Sequence, residues 1–233
     1  MPELTDETDD LPPMREGTIV LGVVLLLIVI VATSVQRFPG TLWKGGEVYE
    51  FGSICALLAY AGIAYAVRGV ETGQSRTAVR TGSILGVSCA AIELVVYFIA
   101  SRIETIRAAV TAQYVDAALL VGFLGAAALI ACWRHRLIGP VLLASVWLAV
   151  VTTTCMLLLA SRRLLIAPHL GAGALASYEN SGMTDPQAYV IRETLHSMPG
   201  ALVVPLVEGV VVGGVIAWCL LLLGKRKTRE YVP

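Results

Sequence analysis

The chain has 233 residues, 57% of them hydrophobic and 15% charged, and its formal net charge is zero. A mean hydropathy of +0.77 is too high for an ordinary soluble domain, and the balanced charge offers nothing that would draw a nucleic acid. The apolar residues are gathered into blocks about as long as the roughly 20 residues a helix needs to cross the hydrocarbon core.

In chain order, the first segment is an acidic tail over residues 1–16, PELTDETDDLPP followed by Arg15 as its only base. It lacks the basic start of a signal peptide, so the apolar run behind it reads as an uncleaved anchor. Its polar, proline-containing composition predicts disorder. Residues 17–160 then hold five candidate spans, at 18–35, 49–67, 81–101, 108–132 and 137–160. Lipid offers backbone N–H and C=O groups no partner, so runs of this length must be helical. Strand-like alternation is absent, which excludes a barrel. The five cysteines (Cys55, Cys89, Cys132, Cys155 and Cys219) lie in or beside spans, form no CxxC pair and read as small packing residues.

Residues 161–200 form the longest connection. Within it, Thr184–Gln187 (TDPQ) reads as a capping box with Pro186 in the first turn. An amphipathic helix should follow, carrying Tyr189, Ile191, Leu195 and Met198, and should end at Pro199–Gly200. A helix of this kind can pack the bundle, cover a cavity or dock a partner. The sixth span is expected over 201–224, and residues 225–233 form a basic tail (KRKTR). The fold class expected is all-α: a polytopic membrane protein with a bundle of about six transmembrane helices and a short amphipathic helix in the last extramembrane loop.

Six spans put both termini on one side. That side collects 10 Lys and Arg residues against 7 on the other, so the positive-inside rule predicts cytoplasmic termini. A cell membrane of the bacterial or archaeal inner-membrane type is the expected location.

The polar residues inside the spans are the candidate site. In CAAIELVVYFIASRIE (residues 89–104) and the turns before it, Gly82, Gly86, Cys89, Glu93, Tyr97 and Ala100 recur every three or four residues and share one face of the helix. Gly82 and Gly86 form a small-xxx-small pattern that lets helices approach closely, which predicts that Glu93 faces the protein interior. Asp116 and Glu208 each lie about eight residues into their spans, and Glu93 about eight residues before the end of its own. All three are therefore expected roughly 12 Å below the same surface. Intramembrane acids mark ion or proton pathways by default, but an acid paired with a snorkelling arginine from Arg102, Arg107, Arg162, Arg163 or Arg192 would be only a packing device. In the last span, PLVEGVVVGG carries Gly209 and Gly213 as a second close-packing pair, and Pro205 is placed to bend the helix beside Glu208. Thr152–Thr154 can bond to their own helix or line a polar path.

The three histidines, His135, His169 and His196, fall outside the spans, which argues against a haem held between helices. No HExxH, GxSxG or GxxxxGK[ST] motif occurs, so no catalytic residue, metal ligand or cofactor is expected. Two functions follow. The first is a non-catalytic accessory or assembly subunit of a membrane complex, with other membrane subunits or a second copy as partner. The second is a small proton- or cation-coupled permease built on Glu93, Asp116 and Glu208.

Overall fold

The protein is described by a computed structural model covering residues 15–42, 46–70, 73–103, 106–135, 137–165 and 172–229. Its helices are α1 (Arg15–Arg37), α2 (Gly46–Arg68), α3 (Gly73–Ile103), α4 (Ile106–His135), α5 (Ile138–Ala160), α6 (Arg162–Leu165), α7 (Ala172–Ser181) and α8 (Pro186–Arg229), with a 3-10 turn at Pro39–Leu42 after α1. No strand occurs among the described residues. Six of these helices are long and apolar enough to cross a membrane, and the chain is a polytopic all-α membrane protein.

Helix α1 shows how the pattern divides between core and lipid. Val20, Val24, Leu27, Val31 and Val35 are buried at steps of three or four, while Ile19, Leu25, Leu26 and Val29 on the other side are exposed. An outward apolar face costs nothing in lipid, so the pattern reflects packing rather than polarity. Helix α5 is the exception. Every residue from Trp147 to Thr154 is buried, and eight successive residues cover more than two full turns. Over this stretch no side of α5 is left for lipid; α3, α4 and α8 pack closely against the helix, and α1 touches it more lightly. Helices α1 and α2 pair with each other, α3 and α4 pack against α5, and α8 touches α2, α4 and α5.

Two boundaries differ from the sequence reading. The acidic tail gives up Arg15 and Glu16 to the first turn of α1, and the remainder of that tail lies outside the described residues. At the other end residues 225–229 continue α8 instead of forming a tail. The larger correction concerns residues 186–224. Pro199–Gly200 does not end a helix there: α8 runs unbroken through Pro199 and Pro205 for 44 residues, about 66 Å at 1.5 Å per residue. The amphipathic segment and the sixth span are one rod. Tyr189, Ile191, Leu195 and Met198 are buried on it, followed by Leu202 in the same stripe.

The reason lies in α2. A proline at position 199 removes the N–H that the Leu195 carbonyl would accept. Ser53 of α2 turns its hydroxyl toward that carbonyl, 3.2 Å away, while sharing it with Tyr49 O at 2.7 Å. The Pro199 ring sits over Gly52, where an added Cβ would lie 3.5 Å from it. Two turns further along α2, the Tyr60 hydroxyl donates to Leu202 O at 2.7 Å. Ser53 thus supplies a donor where Pro199 withdraws one, which is how spanning helices tolerate proline, and Tyr60 adds a second bond between α2 and α8.

The start of α8 also differs by one residue from the capping box. Asp185, not Thr184, is the cap: its Oδ1 accepts the Gln187 N–H at 2.8 Å, and its carbonyl accepts Tyr189 N–H at 3.1 Å. This places Pro186 at the first helical position, where its missing N–H has no partner to lose.

Candidate functional site

The two glycine pairs hold α5 from two sides. A Cβ added at Gly82 would lie 2.7 Å from Ala144 O, and one at Gly86 would lie 2.9 Å from the Val151 side chain. On α8, a Cβ at Gly209 would meet Ser145 O at 3.2 Å and one at Gly213 the Ser145 side chain at 3.1 Å. Backbone therefore approaches backbone on both flanks, and polar side chains of α5 use the proximity. Thr152 donates to Gly86 O at 3.1 Å, and Trp147 Nε1 donates to Ser83 Oγ at 2.8 Å. Ser145 shares its hydroxyl between Leu124 O at 3.4 Å and its own helix at 3.3 Å. Of the three threonines, Thr154 bonds back to Val150 O at 2.7 Å, while Thr153 hydrogen-bonds with Tyr60. A polar string therefore runs from α5 through Tyr60 of α2 to the backbone of α8.

The small-residue stripe of α3 faces α5 as far as Glu93. Gly82, Gly86, Cys89 and Glu93 are buried, with Glu93 only 5% exposed, whereas Tyr97 at the next step is 50% exposed. Ile84, Val87, Ala91, Leu94, Val95 and Phe98 on the opposite side are all exposed. Within the bundle the Cys89 thiol donates to Glu93 Oε1 at 3.2 Å. No lysine or arginine pairs with Glu93 among the described residues; the one ion pair described is Arg80 with Glu16 at 3.7 Å. The side chains of Arg102, Arg107 and Arg163 lie outside the described residues.

Measured along α5, the three acids do not share a depth. Glu208 adjoins Gly209, which packs at Ser145–Ala149. Asp116 lies eight residues before Leu124, whose carbonyl meets Ser145, so it sits about 12 Å further toward the distal end, the end of the bundle where α1 finishes. Glu93 lies seven residues past Gly86, which bonds Thr152, and is more distal again by about 10 Å. Side chains lean toward the N-terminus of their own helix, so Glu93 leans back and Asp116 leans outward. Both leanings narrow the gap between them. Glu208 belongs to a helix that flanks α5 and shares no packed interface with α3. The expected three-acid layer is therefore one pair and one separate acid. The depth count took Ala201 as the membrane surface, but α8 is already helical for 15 residues before it.

Asp116 stands in an unusual place. From Gln113 to Ala118 every residue of α4 is exposed, and six successive residues go round a helix more than once. Among the described residues, nothing in the bundle covers this stretch. In the adjoining part of α3, Tyr97, Phe98 and Ile99 are exposed in succession. No family of proteins, no curated protein and no solved structure matches the chain. Among the described residues no group of three His, Cys, Asp or Glu side chains is placed to hold a metal ion; His169 lies outside them.

Sequence reasoning missed Ser53, Tyr60, Trp147 and the distal arm of α3–α4. Pro199 carried a signal for the first, because a proline inside an apolar run needs a donor from elsewhere. Nothing local marks the other three.

Proposed function

We propose that the protein is a non-catalytic accessory or assembly subunit of a membrane complex, its termini on the cytoplasmic side, and that the distal arm of α3–α4 receives a helix of the partner. The observation that carries this reading is the exposure of α4 on every side from Gln113 to Ala118, with Asp116 in the middle. A carboxylate facing hydrocarbon costs about 2.5–3.5 kcal/mol on insertion scales. A partner helix with a basic or amide side chain at that depth would relieve the cost, and Gln113, one turn away on the same face, adds a further hydrogen-bonding group.

A photo-crosslinking residue placed at Tyr114 tests the reading in native membranes, with the same residue at Leu26 on the lipid face of α1 as control. A discrete adduct from position 114, absent from position 26 and lost in Asp116→Leu, is expected. Equal diffuse labelling at both positions refutes it.

The permease reading draws support from the buried Glu93, which has no cation beside it among the described residues. Purified protein in liposomes distinguishes the two. Proton flux that Glu93→Gln abolishes selects the carrier, and flux equal to that of empty liposomes selects the subunit.

A further inference from the structure

At the distal end of α1 a half-open cavity of about 360 Å³ lies between three elements, lined by Thr33, Ser34, Arg37 and Phe38 of α1 and the turn after it, Leu164 and Leu165 of α6, and Gln187 of α8. Its size falls at the lower end of the range for small-molecule sites, about 300–1,000 Å³. The lining is divided in kind. Phe38, Leu164 and Leu165 supply an apolar wall, while Arg37, Ser34 and Gln187 supply hydrogen-bond donors. Arg37 is exposed, lies 5.5 Å from the Phe38 ring, and makes no ion pair among the described residues. The Ser34 hydroxyl reaches Leu164 O only at 3.5 Å, the limit of a hydrogen bond, so it can turn toward a better acceptor.

The field in the cavity follows from the helix ends. The negative C-terminal end of α1 and the positive N-terminal end of α8 meet here, each worth about half a charge, and largely offset one another. Asp185, which caps α8, is not in the lining. Arg37 is the one charged side chain in the lining, and its planar fork suits phosphate oxygens. The depth matters too. Arg37 is the last residue of α1, the level at which a span passes from hydrocarbon to headgroups. A ligand here meets a cation on one side and apolar side chains on the other.

We propose that this cavity binds a phosphate oxyanion through Arg37, and that the apolar wall favours the phosphodiester headgroup of an anionic lipid over free phosphate. The proposal does not depend on the partner-binding role of α3–α4.

Native mass spectrometry of the full-length protein in detergent tests it, titrating phosphatidylglycerol and, separately, phosphatidylcholine. One phosphatidylglycerol per chain should bind in preference to phosphatidylcholine. Arg37→Gln should weaken it about tenfold or more, as loss of a charge-assisted hydrogen bond does. Leu165→Trp, which fills the cavity without touching the charge, should weaken it similarly, and Arg80→Gln at the other end of the bundle should leave it unchanged. Both test positions are exposed, so each variant is first checked for wild-type helicity and monodispersity. Displacement by millimolar inorganic phosphate would identify free phosphate as the ligand; no displacement identifies the lipid. Wild-type binding by both Arg37→Gln and Leu165→Trp, or equal binding of the two lipids, overturns the proposal.

Discussion

Replacing Gly82 by alanine should loosen the bundle at its most closely packed seam. The new methyl would lie 2.7 Å from Ala144 O and 3.2 Å from both Leu148 N and Trp147 Cδ1. Carbon and oxygen in ordinary contact are about 3.3 Å apart or more, so α3 must withdraw by about 0.6 Å. The obstruction is backbone in a helix buried on every side, which cannot move out of the way. Withdrawal also stretches the Trp147–Ser83 and Thr152–Gly86 bonds, now 2.8 Å and 3.1 Å. Overpacking of this kind costs about 1–3 kcal/mol, but glycine-to-alanine in a helix returns up to about 1 kcal/mol through backbone entropy. Gly122→Ala supplies the matching control, because a Cβ there meets nothing within 4 Å. The propensity gain is common to both variants, so their difference isolates the clash. Equilibrium unfolding in mixed micelles, with dodecyl sulfate as denaturant and helicity as signal, should place Gly82→Ala about 1–3 kcal/mol below Gly122→Ala. Equal stability of the two would refute the close approach of α3 to α5.

Tyr60→Phe leaves Leu202 O without its 2.7 Å donor and should cost about 1–2 kcal/mol in the same assay. Ser53→Ala should cost less in a Pro199→Ala background than in the wild type, because alanine restores the N–H that Leu195 O lacks. A double-mutant cycle with no coupling between positions 53 and 199 would remove that account of how α8 passes its proline. Asp185→Ala should lower stability by about 0.5–2 kcal/mol, the usual range for a lost N-cap, whereas Thr184→Ala should change little; thermal unfolding in detergent separates the two.

The six long helices were legible because lipid leaves an apolar run no alternative to the helix, so length and hydropathy decide. Their partners were not. The spacing of Gly82, Gly86 and Glu93 told which residues share a face, but not that α5 is the surface they meet. Pro199–Gly200 reads locally as a stop. What overrides it is Ser53, some 146 residues earlier in the chain, and no local pattern reports a donor so distant. The carboxylates illustrate the same limit. Counting from span ends supplied a depth for each but not which helices stand side by side. Glu208 sits apart because its helix begins at Pro186 and runs along a different flank of α5.

The placement of α8 has a consequence for how the chain assembles. Helices α1 and α2 pair with each other, and α3 and α4 pair with α5, yet the two groups meet one another sparsely. Synthesis delivers both before α8 emerges. Until then the Tyr60 hydroxyl has no acceptor from α8, and the Ser145 flank of α5 has no Gly209–Gly213 seam to receive. Each group can form from near neighbours in the chain, with little loop entropy to overcome. Their mutual register, by contrast, is settled only when α8 slides between them and brings Leu202 opposite Tyr60 and Gly213 opposite Ser145.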